Sequence, residues 1–109
     1  MALRDYSIGS IHRYVVMLNL HGEPPEAERE KIIRAIVEEG KQYGRPAALV
    51  IELYPSAEAP DWITRAIYAP DGDWVLADSA PDPDYTGYKL KIKHGVFEIK
   101  TVASEKKPK

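Results

Sequence analysis

Four residues able to move protons or hydrogen-bond a substrate close the two most apolar runs of the chain. Asn19 and His21 end the run that begins at Ile11, and Glu52 and Tyr54 end the run that follows Pro46. Histidine titrates near neutrality, Glu52 can orient or charge it, and Tyr54 and Asn19 can donate hydrogen bonds to a substrate oxygen. The set makes an acid–base site only if both runs end side by side. Four polar residues at such ends are also what a solvent-facing rim presents, and no catalytic, metal or nucleotide motif elsewhere adds to them. A small enzyme using His21 is therefore the alternative reading, not the first.

The elements that must position these residues are a strand, a helix and a second strand between Ile11 and Tyr54. Between Pro24 and Tyr43 the residues Ile32, Ile33, Ile36, Val37 and Tyr43 fall in one stripe at 100° per residue, with Glu28, Lys31, Arg34, Glu38, Lys41 and Gln42 on the other side. Pro24 and Pro25 suit the first turn, Glu23, Glu26 and Glu28 suit the positive end of the helix dipole, and Gly44 is expected to end the helix with a positive φ. Gly40 lies inside the stripe and predicts a close approach to a sheet. Twenty helical and ten extended residues both span about 30 Å, and the links are short, so a parallel β-α-β crossover is expected. Tyr14, Val16, Leu18 and Leu20 then share the face toward the helix with Leu49, Ile51 and Leu53. Val15, Met17, Asn19 and His21 lie opposite, with Val50, Glu52 and Tyr54. Both strands run from apolar to polar toward their C-terminal ends, where ligands commonly bind in open α/β sheets.

The rest of the chain reads as added sheet. The residues from Asp61 to Ala69 are expected as a strand, although Trp62, Ile63, Ala66 and Ile67 also fit one face of a short helix. Ala69-Pro70-Asp71-Gly72 predicts a type I turn into a strand at Trp74–Ala77, a hairpin that sets Tyr68 opposite Trp74. Ser79–Gly87 reads as an irregular acidic loop. Tyr88–Val102 predicts a hairpin turning at His94-Gly95, with Tyr88, Leu90, Ile92, Phe97, Ile99 and Thr101 on the core face and Lys89, Lys91, Lys93 and Lys100 on the solvent face. His12 and His94 read as surface and turn residues. Residues 1–102 form the single expected domain, and 103–109 a disordered basic tail.

The net charge of −2 hides an uneven layout. Between Pro46 and Tyr85 a single cation, Arg65, faces eight carboxylates, whereas from Thr86 onward seven lysines face two. Such asymmetry suits electrostatic steering of a partner, although turn chemistry and edge-strand lysines also produce it. Asp71, Asp73, Asp78, Asp82 and Asp84 form no twelve-residue calcium loop, so no metal site is expected. No cofactor is expected either. The lysine face of the last hairpin (Lys89, Lys91, Lys93, Lys100) is the candidate for weak nucleic-acid binding, but it carries no aromatic residue for stacking bases. The absence of cysteine removes disulfides, thiol catalysis and zinc-thiolate sites. With no apolar run long enough for a signal peptide or a membrane span, a cytoplasmic protein is expected. One asparagine and one glutamine beside abundant Glu, Lys, Arg and Pro lean toward a heat-adapted host.

These readings combine into an α+β fold: one amphipathic helix on a mixed sheet of about six strands in the order β-α-β-β-β-β-β, ferredoxin-like or cystatin-like. One helix covers only one face of such a sheet. The face bearing Val15, Met17 and Val50 then needs another cover, either a folded-over hairpin or a second copy. The function expected is that of a small non-catalytic binding or regulatory protein, a homodimer. It works through a sheet surface with Tyr68 and Trp74, and through the acidic loops.

Overall fold

The computed structural model describes residues 2–80 and 82–95. The apolar stripe becomes helix α1, Glu26–Tyr43, with Ile33 and Val37 buried and Ile32 and Ile36 half-buried beside them. Tyr43, expected in the stripe, is 81% exposed. The helix comes close to the sheet at Gly40, where a Cβ would lie 3.4 Å from Leu49 Cδ2. Its end differs from the expectation, since Gly44 keeps a φ of −119° and Arg45, at +42°, takes the left-handed turn. Both amides donate to the Gly40 carbonyl, at 2.9 and 3.0 Å. The Arg45 conformation is held from outside: its guanidinium donates to the Pro83 carbonyl, pairs with Asp82 and lies over the Tyr85 ring.

The sheet contains β1 (Ala2–Asp5), β2 (Arg13–Asn19), β3 (Ala48–Tyr54), β4 (Thr64–Pro70) and β5 (Tyr88–His94), side by side in chain order. Strands β2 and β3 pair in parallel around α1, and the other neighbours are antiparallel. Val16, Leu49, Ile51, Leu53 and Ala66 pack with Ile33 and Val37 in the main core, and Tyr14, Leu18 and Leu20 line it. The expected assignment of faces is therefore observed. Tyr88, Leu90 and Ile92 of β5 lie on the helix side, and Lys89, Lys91 and Lys93 point to solvent on the other.

Two expectations require correction. Trp74–Ala77 is not a strand but part of a short 3₁₀ helix, Trp74–Ser79. Asp71 and Gly72 both take positive φ, and Asp73 N donates to the Pro70 carbonyl at 3.0 Å, so the turn is of the primed type. Asp73 then accepts from Val75 N and starts the 3₁₀ turn. At three residues per turn Trp74 and Ala77 share a face, and they pack on Ala48, Ala69 and Ile67 across the helix-free side of the sheet. Tyr68 consequently pairs with Leu49 and Leu90, on the opposite face from Trp74. Second, the opening residues supply a strand, β1, which at four exposed residues is too short to show a pattern. Among the described residues the sheet has five of the about six expected strands, and their sequential order with one helix does not establish a ferredoxin-like or cystatin-like arrangement. The second arm of the expected last hairpin, with Lys100, and the tail 103–109 lie outside the described residues.

Replacing Ile33 by alanine is expected to cost about 2–5 kcal/mol, because its side chain is fully enclosed, while Tyr43→Ala should stay within about 0.5 kcal/mol. Urea unfolding of the two variants checks this. Equal losses would mean that the buried stripe is misplaced.

Candidate functional site

The parallel register sets Asn19 beside Tyr54 and Met17 beside Glu52, so the polar ends of β2 and β3 do meet. What they build is not an open acid–base set. The Tyr54 hydroxyl donates to Glu52 Oε1 at 2.9 Å, and Arg65, the cross-strand neighbour of Glu52, donates through Nε to Oε2 at 3.3 Å. Both carboxylate oxygens are engaged, and the Glu52 side chain is only 18% exposed. Burial, then the hydrogen bond to Glu52, pushes the Tyr54 phenol up to about 12, so it stays a neutral donor. Asn19 is occupied elsewhere: its Oδ1 accepts from the His21 amide at 2.8 Å and holds His21 at a φ of +55°. His21 is exposed, and among the described residues no hydrogen bond or ion pair joins it to Glu52.

The acidic residues are spent one at a time. Asp71 pairs with Lys89 at 2.8 Å, Asp73 caps the 3₁₀ helix, Asp78 pairs with Arg13 at 3.2 Å, Asp82 pairs with Arg45, and Asp84 accepts from the Thr86 amide. Asp71 and Asp84 are held below the usual carboxylate range, by the Lys89 hydrogen bond and the Thr86 amide respectively. Among the described residues no group of three His, Asp or Glu is placed to hold a metal ion. Of the candidate lysines, Lys89 is taken by Asp71, and the stem of Lys91 covers Gly72.

Two constellations not foreseen lie beside α1. Tyr68, Tyr85 and Tyr88 form a ring cluster with centroids 4.9–5.7 Å apart, and Lys41 sits over Tyr68 and Tyr85. The Tyr85 and Tyr88 hydroxyls donate to the carbonyls of Pro46 and Ala47, which pins the acidic loop to the start of β3. At the other end of the helix, Arg29 donates to the Thr64 hydroxyl at 3.2 Å, and His94 joins Thr64 (Nδ1, 2.8 Å) to Glu30 (Nε2, 3.0 Å). With Thr64 donating to Nδ1, the imidazole carries its proton on Nε2 and donates to Glu30, so every group is satisfied. Thr64 is completely buried, which makes this set a polar clamp between α1, β4 and β5. His94 is therefore the last residue of β5 and not a turn residue.

The open concavity on the helix-free face is a groove of about 470 Å³. Two rungs of cross-strand neighbours form its floor: Arg4–Val15–Val50–Ile67 and Met17–Glu52–Arg65. Trp74 and Tyr6 wall one end, their rings edge to face at 6.4 Å. Arg13 lies beneath Trp74 at 5.7 Å, and its Nε is a buried side-chain polar atom with no partner among the described residues. Arg4, Tyr6 and Arg65 were missed as site residues. Arg65 was visible only as the lone cation of an acidic stretch, since its place beside Glu52 needs the β3–β4 register. A second, more apolar concavity of about 660 Å³ lies on the opposite side of the sheet, between β1 and α1.

Compared with protein-family models, curated proteins and solved structures, the chain matches none. No helix among the described residues is long and apolar enough to cross a membrane.

Burial raises three phenols, Tyr54, Tyr85 and Tyr88, to about 12. Between pH 10 and 12 the folded chain keeps protons that the unfolded chain has lost, so unfolding releases protons there. The stability these tyrosines contribute is present below pH 10 and is lost as pH rises toward 12. Thermal melts across this range, with tyrosinate absorbance followed in parallel, should show a falling melting temperature and a late-titrating class of tyrosines. A melting temperature flat to pH 12 would contradict it.

Proposed function

We propose that this chain is a non-catalytic binding protein that works as a homodimer through the helix-free face of its sheet. The observation that carries the reading is that the 3₁₀ helix roofs only half of that face. The covered half presents Val75 and Leu76 outward, at 67% and 41% exposure, as an apolar ridge. The open half is a groove floored by Val15, Met17, Val50 and Ile67. When two sheets pack face to face with antiparallel strands, the ridge of each copy comes over the groove of the other.

Charge follows the same geometry. Arg4, Arg65, Lys91 and Lys93 outnumber Glu52 around the open half, while Asp73 and Asp78 flank the ridge. Complementary ends of this kind fix the register of association more than its strength. The acidic segment thereby acquires a role as the contact of the dimer. An acid–base enzyme at Asn19, His21, Glu52 and Tyr54 needs His21 against Glu52, a contact that Tyr54 and Arg65 already occupy. Weak nucleic-acid binding through Lys89, Lys91 and Lys93 draws no support from a lysine face partly used in pairs.

Light scattering at micromolar concentration tests the dimer. The expected mass is that of two chains, and Met17→Lys or Leu76→Asp should weaken association by roughly a hundredfold, on the order of 3 kcal/mol, by burying a charge in an apolar contact. A wild-type mass of one chain, or a dimer indifferent to both substitutions, would reject this reading.

A further inference from the structure

The second concavity lies on the other side of the sheet and is independent of the dimer. Its strand wall carries Leu3, Asp5 and Val16, its helix wall Ile36, Glu39 and Tyr43. Leu3 is 59% exposed. Strand β1 is also an edge of the sheet among the described residues. Tyr6 N donates to the Arg13 carbonyl at 2.8 Å, which fixes the hydrogen-bonded pairs of the β1–β2 ladder at alternate positions. Arg4 and Ala2 therefore turn their backbone groups inward. Leu3 and Asp5 turn theirs outward, and the side chains of the same two residues face the groove.

We propose that this edge takes an extended peptide of another protein by strand addition, with an apolar and a basic residue at alternate positions. A strand laid along β1 bonds to the amides and carbonyls of Leu3 and Asp5, and its residues opposite those two point to the groove side. The residue opposite Leu3 meets Leu3 and Tyr43 and is apolar. The residue opposite Asp5 meets a carboxylate, with Glu39 also at the groove, and is lysine or arginine. The Ser7 side chain, then the Ser7 amide at 2.8 Å, hold the Asp5 carboxyl below the usual carboxylate range. Charge also argues against a second copy as occupant. Strand β1 offers only Leu3 and Asp5 on this side, so its own pairing leaves the carboxylates unmatched or sets them near each other.

The test uses the full chain and the blocked peptide Thr-Ile-Thr-Lys-Thr, whose Ile and Lys meet Leu3 and Asp5 in a strand parallel to β1, followed by amide shifts and hydrogen exchange. Binding should slow exchange of the Leu3 and Asp5 amides and shift the Tyr43 ring. The peptide with Glu for Lys should bind at least tenfold more weakly, and Asp5→Asn, which keeps the bond to Ser7, should reduce the preference for Lys over Glu. A Lys peptide N-methylated at the positions facing β1 should not bind. Equal binding of the Lys and Glu peptides, or no change at Leu3 and Asp5, overturns the proposal. Protection of those amides that rises with protein concentration alone also overturns it, since a second copy would then fill the edge. The mass measured by light scattering judges the helix-free face separately.

Discussion

One helix cannot cover both faces of a five-stranded sheet, and that shortage of cover organises this molecule. Helix α1 buries Ile33 and Val37 against β2, β3 and β4, and this contact fixes which face of each strand is core. Beyond the helix, the described residues give only partial cover. The 3₁₀ helix roofs half of the free face, and the acidic loop is bolted to the end of α1 through Tyr85 and Arg45. The Arg29–Thr64–His94–Glu30 chain closes the other end. Among the described residues a groove remains on each side of the sheet.

The charge asymmetry of the sequence resolves into local work. Asp71, Asp78 and Asp82 each hold one cation, and Asp73 and Asp84 each hold a backbone amide. These exposed contacts contribute little stability singly. Their effect is to set where loops lie, and they leave Arg4 and Lys93 as the charge of the open face beyond the Glu52–Arg65 pair. Left-handed backbone at Arg45 and Tyr85, costing about 1–3 kcal/mol each, is tolerated because both side chains are anchored where the loop meets the helix.

Much of this was legible in the sequence. The period of α1 and the alternation in β2, β3 and the described part of β5 assigned their faces, because each element buries one side and a slip would invert it. Trp74–Ala77 was misread because an apolar run of four has no period of its own; the cue was Asp73 as a cap, with Trp74 and Ala77 three residues apart. Strand β1 carried no signal, since none of its residues is buried. The candidate site was half legible. Glu52 and Tyr54 were placed together, but Arg65 reached them through a register no local pattern encodes, and the Asn19 turn sent His21 to solvent.

In the proposed dimer the helix-free face is where one chain meets the other. The direct measurement is intermolecular nuclear Overhauser transfer in a mixture of methyl-labelled and unlabelled chains. The account predicts cross-chain contacts from the methyl groups of Met17, Val15, Val50 and Ile67 to Val75 and Leu76, and none from Leu49 or Ile51. Cross-chain contacts centred on Leu3 and Ile36, or none at any concentration, would contradict it.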